Sequence, residues 1–451
     1  MSVEDRVRTA TEATAATVGQ IRPLVLPDEA SAARPGRLRF RRVSRMGGGW
    51  LVPAAAAAAV IVLAVTLVSV RTLTTAGHAP VTAAQSADRV PEYYAAITKS
   101  ALTAPDDVTI AKTATGTALF RVKPPAGDTF AVVSAAGDDR TFVVAVAPFS
   151  GPSFPWTTVV WDLVRVRPDA SGYTLTRLRV PAQPADTVID GLAVSPDGTK
   201  LAVLSQQAST VTGTEPGPVT LRVYSVATGQ LLRSWQTRAG QIEYTTTPGQ
   251  DDQNSTISWQ ADGQGLAFDW QATTQTKITK TGAATGENGP LEVRRLDLAK
   301  PGTDLLADST PVVSIQGWVN GICSALQPTA DGNGAVCGTE YQVALAQGAT
   351  TCSDTPEPLS FHAYSGLAGR YRVLYTVPPA KAVKGKCGNG TADVLWASPS
   401  GSTVVGVIST QYIPGSKISS AVGVVSNGRW TPLPASVLLP GHVFSATGFA
   451  F

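Results

Sequence analysis

Methionine and histidine are almost missing from this 451-residue chain, at two and three residues, and only four cysteines occur. The histidines, His78, His362 and His442, are too few and too scattered for a metal cage or a Ser-His-Asp triad. No H-E-x-x-H, G-x-S-x-G or Walker loop is present. Charged residues are scarce at 15%, against 43% hydrophobic, which excludes a disordered polyelectrolyte. The 42 glycines and 32 prolines follow no period, so a collagen helix is excluded and a turn-rich β protein is favoured. The sequence therefore offers no catalytic residue, no cofactor-binding motif and no metal-ligand set.

What charge there is has a marked position. Residues 1–49 hold nine Arg and five acids, and the net charge of the whole chain is +3. Six of those arginines, Arg34, Arg37, Arg39, Arg41, Arg42 and Arg45, lie just ahead of an uncharged run from Trp50 to Val70. A helix over those 21 residues matches the roughly 30 Å hydrocarbon core of a bilayer. A cleaved signal peptide starts near the N-terminus and has a shorter apolar region, which this segment does not match. A buried core helix rarely runs so far without polar residues beyond one Thr and one Ser. A single membrane helix over 50–70, in contact with membrane lipid, is thus expected. Basic flanks stay cytoplasmic, so the N-terminus is expected inside and everything after residue 70 outside the cell membrane. The Arg cluster read as a nucleic-acid patch is the weaker account, because contact with anionic lipid suits its place. No nucleic-acid partner is expected.

The four cysteines, Cys323, Cys337, Cys352 and Cys387, all fall in the outer part. An even count in an oxidising compartment reads as two disulfides. Cys323 and Cys337 bracket the turn sequence TADGNG and are expected to pair across a hairpin, leaving Cys352 with Cys387. Other connectivities stay open. A zinc site lacks the C-x-x-C pair it would need.

Along the chain, residues 1–49 read as a cytoplasmic arm, a weak helix followed by a Pro- and Arg-rich stretch. Residues 71–90 read as a Thr/Ala-rich tether. From residue 91 the pattern becomes short apolar runs of period two between turns, the signature of strands. One unit recurs as FAVVSAAGDDRTFVVAV, GLAVSPDGTKLAVLS, ISWQADGQGLAFDW, SALQPTADGNGAVCG and VLWASPSGSTVVGVIS. Its turn glycines are Gly137, Gly198, Gly263, Gly332 and Gly401. Each copy is followed by a second hairpin-like stretch, clearest in VTLRVYSVATGQLLRSWQ and also in VVWDLVRVRPDASGYTLTRLRV, LEVRRLDLAKPGTDLLA and AVGVVSNGRWTPLP. Two hairpins make one four-stranded propeller blade. The piece TIAKTATGTALFRV supplies only half a blade, and HVFSATGFAF reads as an inner strand. Joining them closes a ring. The expected fold is an all-β propeller over 91–451, with six blades and seven as the alternative.

The run SPDGTKLAVLS followed by LRVYSVATGQLLRSW resembles WD-repeat propellers, and the whole chain resembles actinobacterial single-pass membrane proteins with an outer propeller. The resemblance implies architecture. Trp161–Asp162 is isolated and no Gly-His opens a blade strand in register, so intracellular WD-repeat roles are not implied. Propeller faces bind proteins, peptides or glycans without catalytic side chains. A binding module with an outer protein, peptide or glycan partner is therefore expected. The alternatives are a transmembrane regulator acting through the N-terminal arm, and a propeller lyase or hydrolase. Trp156 and Trp318, in Pro/Gly-rich loops, are the candidate ligand contacts; the other propeller tryptophans are expected between blades. The oxygen-rich DDQNS at 251–255 and the basic run Lys381, Lys384 and Lys386 read as solvated loops.

Overall fold

Tight turns with glycine in the left-handed region divide the outer part of the chain into short antiparallel strands. The computed structural model describes residues 89–98, 105–149, 158–184, 187–207, 218–238, 257–278, 284–315, 323, 326–341, 358–378, 387–413, 419–434 and 448–451. All of them lie in one compact unit, His78–Phe451. The membrane helix expected over 50–70, the arm before it and most of the tether fall outside the described residues. Among the described residues no helix is long and apolar enough to cross a membrane.

The strands form six antiparallel sheets. Blade 1 contains β1 (Tyr93–Thr98), β2 (Asp107–Lys112) and β3 (Ala118–Val122). Blade 2 runs β4 (Asp128–Ala135), β5 (Thr141–Pro148), β6 (Val160–Val166) and β7 (Tyr173–Arg177). Blade 3 runs β8 (Thr187–Val194), β9 (Lys200–Gln207), β10 (Val219–Ser225) and β11 (Leu231–Gln236). Blade 4 runs β12 (Ile257–Trp259), β13 (Gly265–Ile278), β14 (Ala284–Asp297) and β15 (Ser309–Ile315). Blade 5 begins with β16 (Gln327–Pro328) and β17 (Gly334–Gly338). The chain then lends β18 (Glu340–Tyr341) to the next sheet and returns for β19 (Ser360–Ser365) and β20 (Arg370–Thr376). Blade 6 adds β21 (Cys387–Ala397), β22 (Thr403–Ile413), β23 (Ser419–Ser426) and β24 (Arg429–Pro432) to β18. The last strand, β25 (Phe449–Ala450), pairs with β1 through Ala96↔Phe449 and Ala95↔Ala450 and completes blade 1. The ring is thus closed by strands from both ends of the propeller, and it has six blades.

The core follows from the strand period. Successive side chains of a strand point to opposite faces, so each blade offers an apolar face to both neighbours. The buried side chains form six clusters, one at each blade–blade junction. In β1, Tyr93 and Ala95 pack toward blade 2 while Tyr94 and Ala96 pack toward blade 6. Trp161, Trp235, Trp259 and Trp270 lie buried between blades, as the repeat pattern implies.

In blades 3 and 5 the repeated first turn is held by side chains. Ser195 Oγ donates to Asp197 Oδ1 (2.6 Å) and accepts from Lys200 N (2.8 Å), while Thr199 N donates to Asp197 (3.0 Å). Thr329 and Asp331 repeat the pattern in blade 5. Short Ser, Thr and Asp side chains stabilise such turns because they satisfy the local backbone donors. Neighbouring turns also touch: Ala261 N donates to Ala330 O (2.8 Å), and Asp331 N to Pro399 O (3.2 Å). On one face of the ring the tight turns of blades 4, 5 and 6 therefore interlock.

Two details depart from the sequence reading. The segment DLLA does not extend a strand: Asp304 caps a short helix, α1 (Leu305–Asp308), and the partner of β14 is β15 beyond it. The second hairpin of blade 5 is β19–β20, in SFHAYSGLAGRYRVLYT, a stretch not among the hairpins read from sequence.

Candidate interaction site on blade 5

Cys323 and Cys337 are joined by a disulfide, with Cα atoms 5.6 Å apart. Cys352, Trp156, Trp318, DDQNS and the basic run of Lys381, Lys384 and Lys386 lie outside the described residues, and so does the side chain of Cys387. Among the described residues no group of His, Cys, Asp and Glu is arranged to hold a metal ion.

The densest chemistry among the described residues sits on the second hairpin of blade 5. Its first strand, SFHAYS, sends Ser360, His362 and Tyr364 to the side that faces blade 4, because they alternate along β19. His362 lies directly opposite Cys337 in the β17–β19 register, and Tyr364 opposite Tyr371 in the β19–β20 register. Ser360 Oγ is 2.8 Å from His362 Nε2, and Tyr364 Oη is 3.5 Å from His362 Nδ1. The Tyr371 ring stacks on the imidazole at 4.5 Å and 17°, and tilts against Tyr364 at 5.4 Å. Ser360 and His362 are only 7% and 8% exposed. Burial holds the His362 pKa below its usual value, so the ring is neutral at physiological pH. Burial, and then Tyr371, push the Tyr364 hydroxyl up to about 12.

Ser360 and His362 have the separation of a nucleophile and its base. Among the described residues, however, the group facing Nδ1 is a phenol and no carboxylate orients the ring. The cluster also packs as a pedestal under Tyr371. It fixes Tyr371, which stays 57% exposed while its face rests on His362.

Around Tyr371 the surface is apolar and cationic. Leu367 in the turn is 59% exposed and Val373 48%. Arg370 and Arg372 alternate with them and are exposed as well. In blade 1, Arg121 pairs with Asp107; in blade 2, Arg177 pairs with Asp162. Arg370 and Arg372 have no such ion pair among the described residues, and neither β19 nor β20 contains an acid. Sequence reasoning weighed His362 only as part of a metal cage or a triad and so missed this site. The signal was the alternation in SFHAYSGLAGRYRVLYT around a Gly-x-x-Gly turn.

No protein-family model matches the chain, and comparison with curated proteins found no match. Solved structures do resemble it. The β-propeller domain of the Trilobed protease from Pyrococcus furiosus, described as having an open velcro topology, is 8% identical with a TM-score of 0.36. That likeness covers 75% of this chain and 78% of the other. The tricorn protease is 12% identical with a TM-score of 0.37, covering 76% of this chain and 30% of the other. A prolyl endopeptidase is 14% identical with a TM-score of 0.37, covering 78% and 49%. The chain thus spans less than a third of the tricorn protease and about half of the prolyl endopeptidase. Their peptidase activities belong to those proteins.

Proposed function

We propose that this protein is a single-pass membrane protein that holds its six-blade propeller outside the cell as a binding module. The observation that carries the binding role is the surface of blade 5, where Leu367, Tyr371 and Val373 stand exposed on a closed ring. Exposed apolar side chains grouped on one edge mark interaction sites more often than isolated ones do. The uncharged run Trp50–Val70 behind its Arg-rich flank supports the anchor and its orientation. The Cys323–Cys337 disulfide supports an oxidising compartment. The test is made on intact cells, with an added protease and, separately, a membrane-impermeant cross-linker. The protease should remove the propeller and spare the N-terminal arm, and the cross-linker should give a discrete adduct of the propeller. A protected C-terminus would overturn the topology, and absence of any adduct would overturn the binding role.

A second reading, a hydrolase, draws on the Ser360–His362 separation. It predicts that a fluorophosphonate probe labels Ser360 in the native protein. An unlabelled Ser360 would end that reading.

A further inference from the structure

The six outer strands differ in how they guard their free edge. An outer strand carries unpaired N–H and C=O groups, and proteins blunt such edges with short strands, proline or covering segments. β3 and β7 have five residues each. β24 has four and ends in Pro432. β15 contains Pro311 and is bridged at Val313 by Gly366. β11 is bridged at Gln236 by Asp304, with Gln236 N donating to Thr303 O. β20 has seven residues, no proline and no bridge among the described residues. Its register with β19 is regular from Arg370 to Val373, where the side chains alternate Arg, Tyr, Arg, Val. The buried Ser360–His362–Tyr364 pedestal keeps that stretch in place.

We infer that β20 is a docking edge that takes an extended peptide as a fifth strand of blade 5, and that the peptide alternates acidic with apolar side chains. The inference rests on the binding-module reading above. Main-chain hydrogen bonds supply affinity in strand addition, and alternate side chains supply specificity. On one face of the added strand, Tyr371 and Val373 offer apolar contact. On the other, Arg370 and Arg372 offer two guanidinium groups that lack a carboxylate in the hairpin. Carboxylates opposite them complete forked hydrogen bonds that Arg geometry favours.

The probe is a fluorescein-labelled peptide, Glu-Val-Glu-Val-Glu-Val-Glu, titrated by anisotropy against the full-length protein in detergent. A Lys-Val peptide of the same length is the comparator. The Glu peptide should bind at least tenfold tighter. The R370E/R372E double variant should reverse that preference, with an unchanged melting temperature because both side chains are exposed. In an added strand only alternate N–H groups point at the edge. N-methylation of the Glu peptide in one phase should therefore abolish binding, and in the other phase leave it nearly intact. Equal binding of the Glu and Lys peptides, an unreversed preference in the double variant, or equal effects of the two N-methyl phases would overturn the inference. If the propeller gave its cross-link on cells but ignored the peptide, the docking edge would fail and the binding-module reading would stand.

Discussion

The ring of Phe451 lies stacked on that of Tyr94, with 5.3 Å between centroids and 26° between planes. Tyr94 belongs to β1 and Phe451 follows β25, so this contact joins the first described strand to the last. Phe449 beside it is buried against Leu395, Val405 and Val407 of blade 6. Closure therefore adds both main-chain pairing and an apolar seam. Phe449→Ala should cost about 3–5 kcal/mol, measured by denaturant unfolding. Removing residues 448–451 should lower the melting temperature further. Unchanged melting would show that the seam contributes nothing.

Tyr94 makes the opposite prediction through its other end. Its hydroxyl is buried and finds no partner among the described residues. Burial alone pushes its pKa up to about 12. A buried polar group without a partner costs its desolvation, about 1–3 kcal/mol. Tyr94→Phe keeps the ring stacked on Phe451 and removes that cost. It should stabilise the propeller by about 1 kcal/mol. A clear loss of stability would mean the hydroxyl is satisfied in solution.

The disulfide ties Cys323, ahead of β16, to Cys337 in β17, with a sequence separation of 14. A loop of that size constrains the unfolded chain by about 3 kcal/mol. Non-reducing peptide mapping should recover the Cys323–Cys337 pair, and Cys323→Ser/Cys337→Ser should lose stability on that scale. Free thiols at both positions would defeat the assignment and weaken the case for an oxidising compartment.

Much of this was legible in the sequence, for physical reasons. The turn glycines Gly198, Gly263, Gly332 and Gly401 all have positive φ, a conformation costly for other residues, so the turns mark the repeat; in blade 2 the positive φ falls on Asp139 and not on Gly137, the glycine expected there. Ring closure could be read because HVFSATGFAF and TIAKTATGTALFRV each lacked a partner. The strand YYAAIT was harder, since with buried residues toward both neighbours it has no polar alternation. The strand lent to blade 6, Glu340–Tyr341, is two residues long and has no local pattern at all. The blade 5 pedestal was missed because its chemistry depends on cross-strand register, which sequence spacing does not carry. Cys337 and His362 are neighbours only once β17 and β19 are paired.

Burial of His362 sets a pH dependence. Its ordinary pKa is 6.5 and its folded value is lower. Well above pH 6.5 the ring is neutral in both the folded and unfolded chains, and stability does not depend on it. Below that, the unfolded chain binds a proton that the folded one refuses, so stability falls as pH drops from about 6.5 toward the folded pKa. Ser360 and Tyr364, which face the two ring nitrogens, are uncharged there. Melting temperature should decline between pH 7 and pH 5 in the wild type and decline less in His362→Gln. Parallel curves would show that some other group governs the acid limb.

The backbone of blade 5 runs hard against blade 6 at Gly338. A Cβ added there would lie 1.6 Å from the carbonyl oxygen of Ala392, which is main chain and cannot rotate aside. Gly338 ends β17, and two residues later the chain joins the blade 6 sheet through Glu340↔Thr391. Ala392 N donates to Thr339 O at 2.9 Å, so the two blades are held together at that spot. Gly338→Ala must push the blades apart and break this link. Gly263 offers the control. Its φ is +66° and nothing lies within 4 Å of an added Cβ, so Gly263→Ala bears only the left-handed backbone cost, about 1–2 kcal/mol. Gly338→Ala should destabilise by clearly more than that, or prevent folding, while Gly263→Ala gives a folded protein that melts a few degrees lower. If the two variants unfolded at the same denaturant concentration, the close approach of blades 5 and 6 would not be a determinant of the ring.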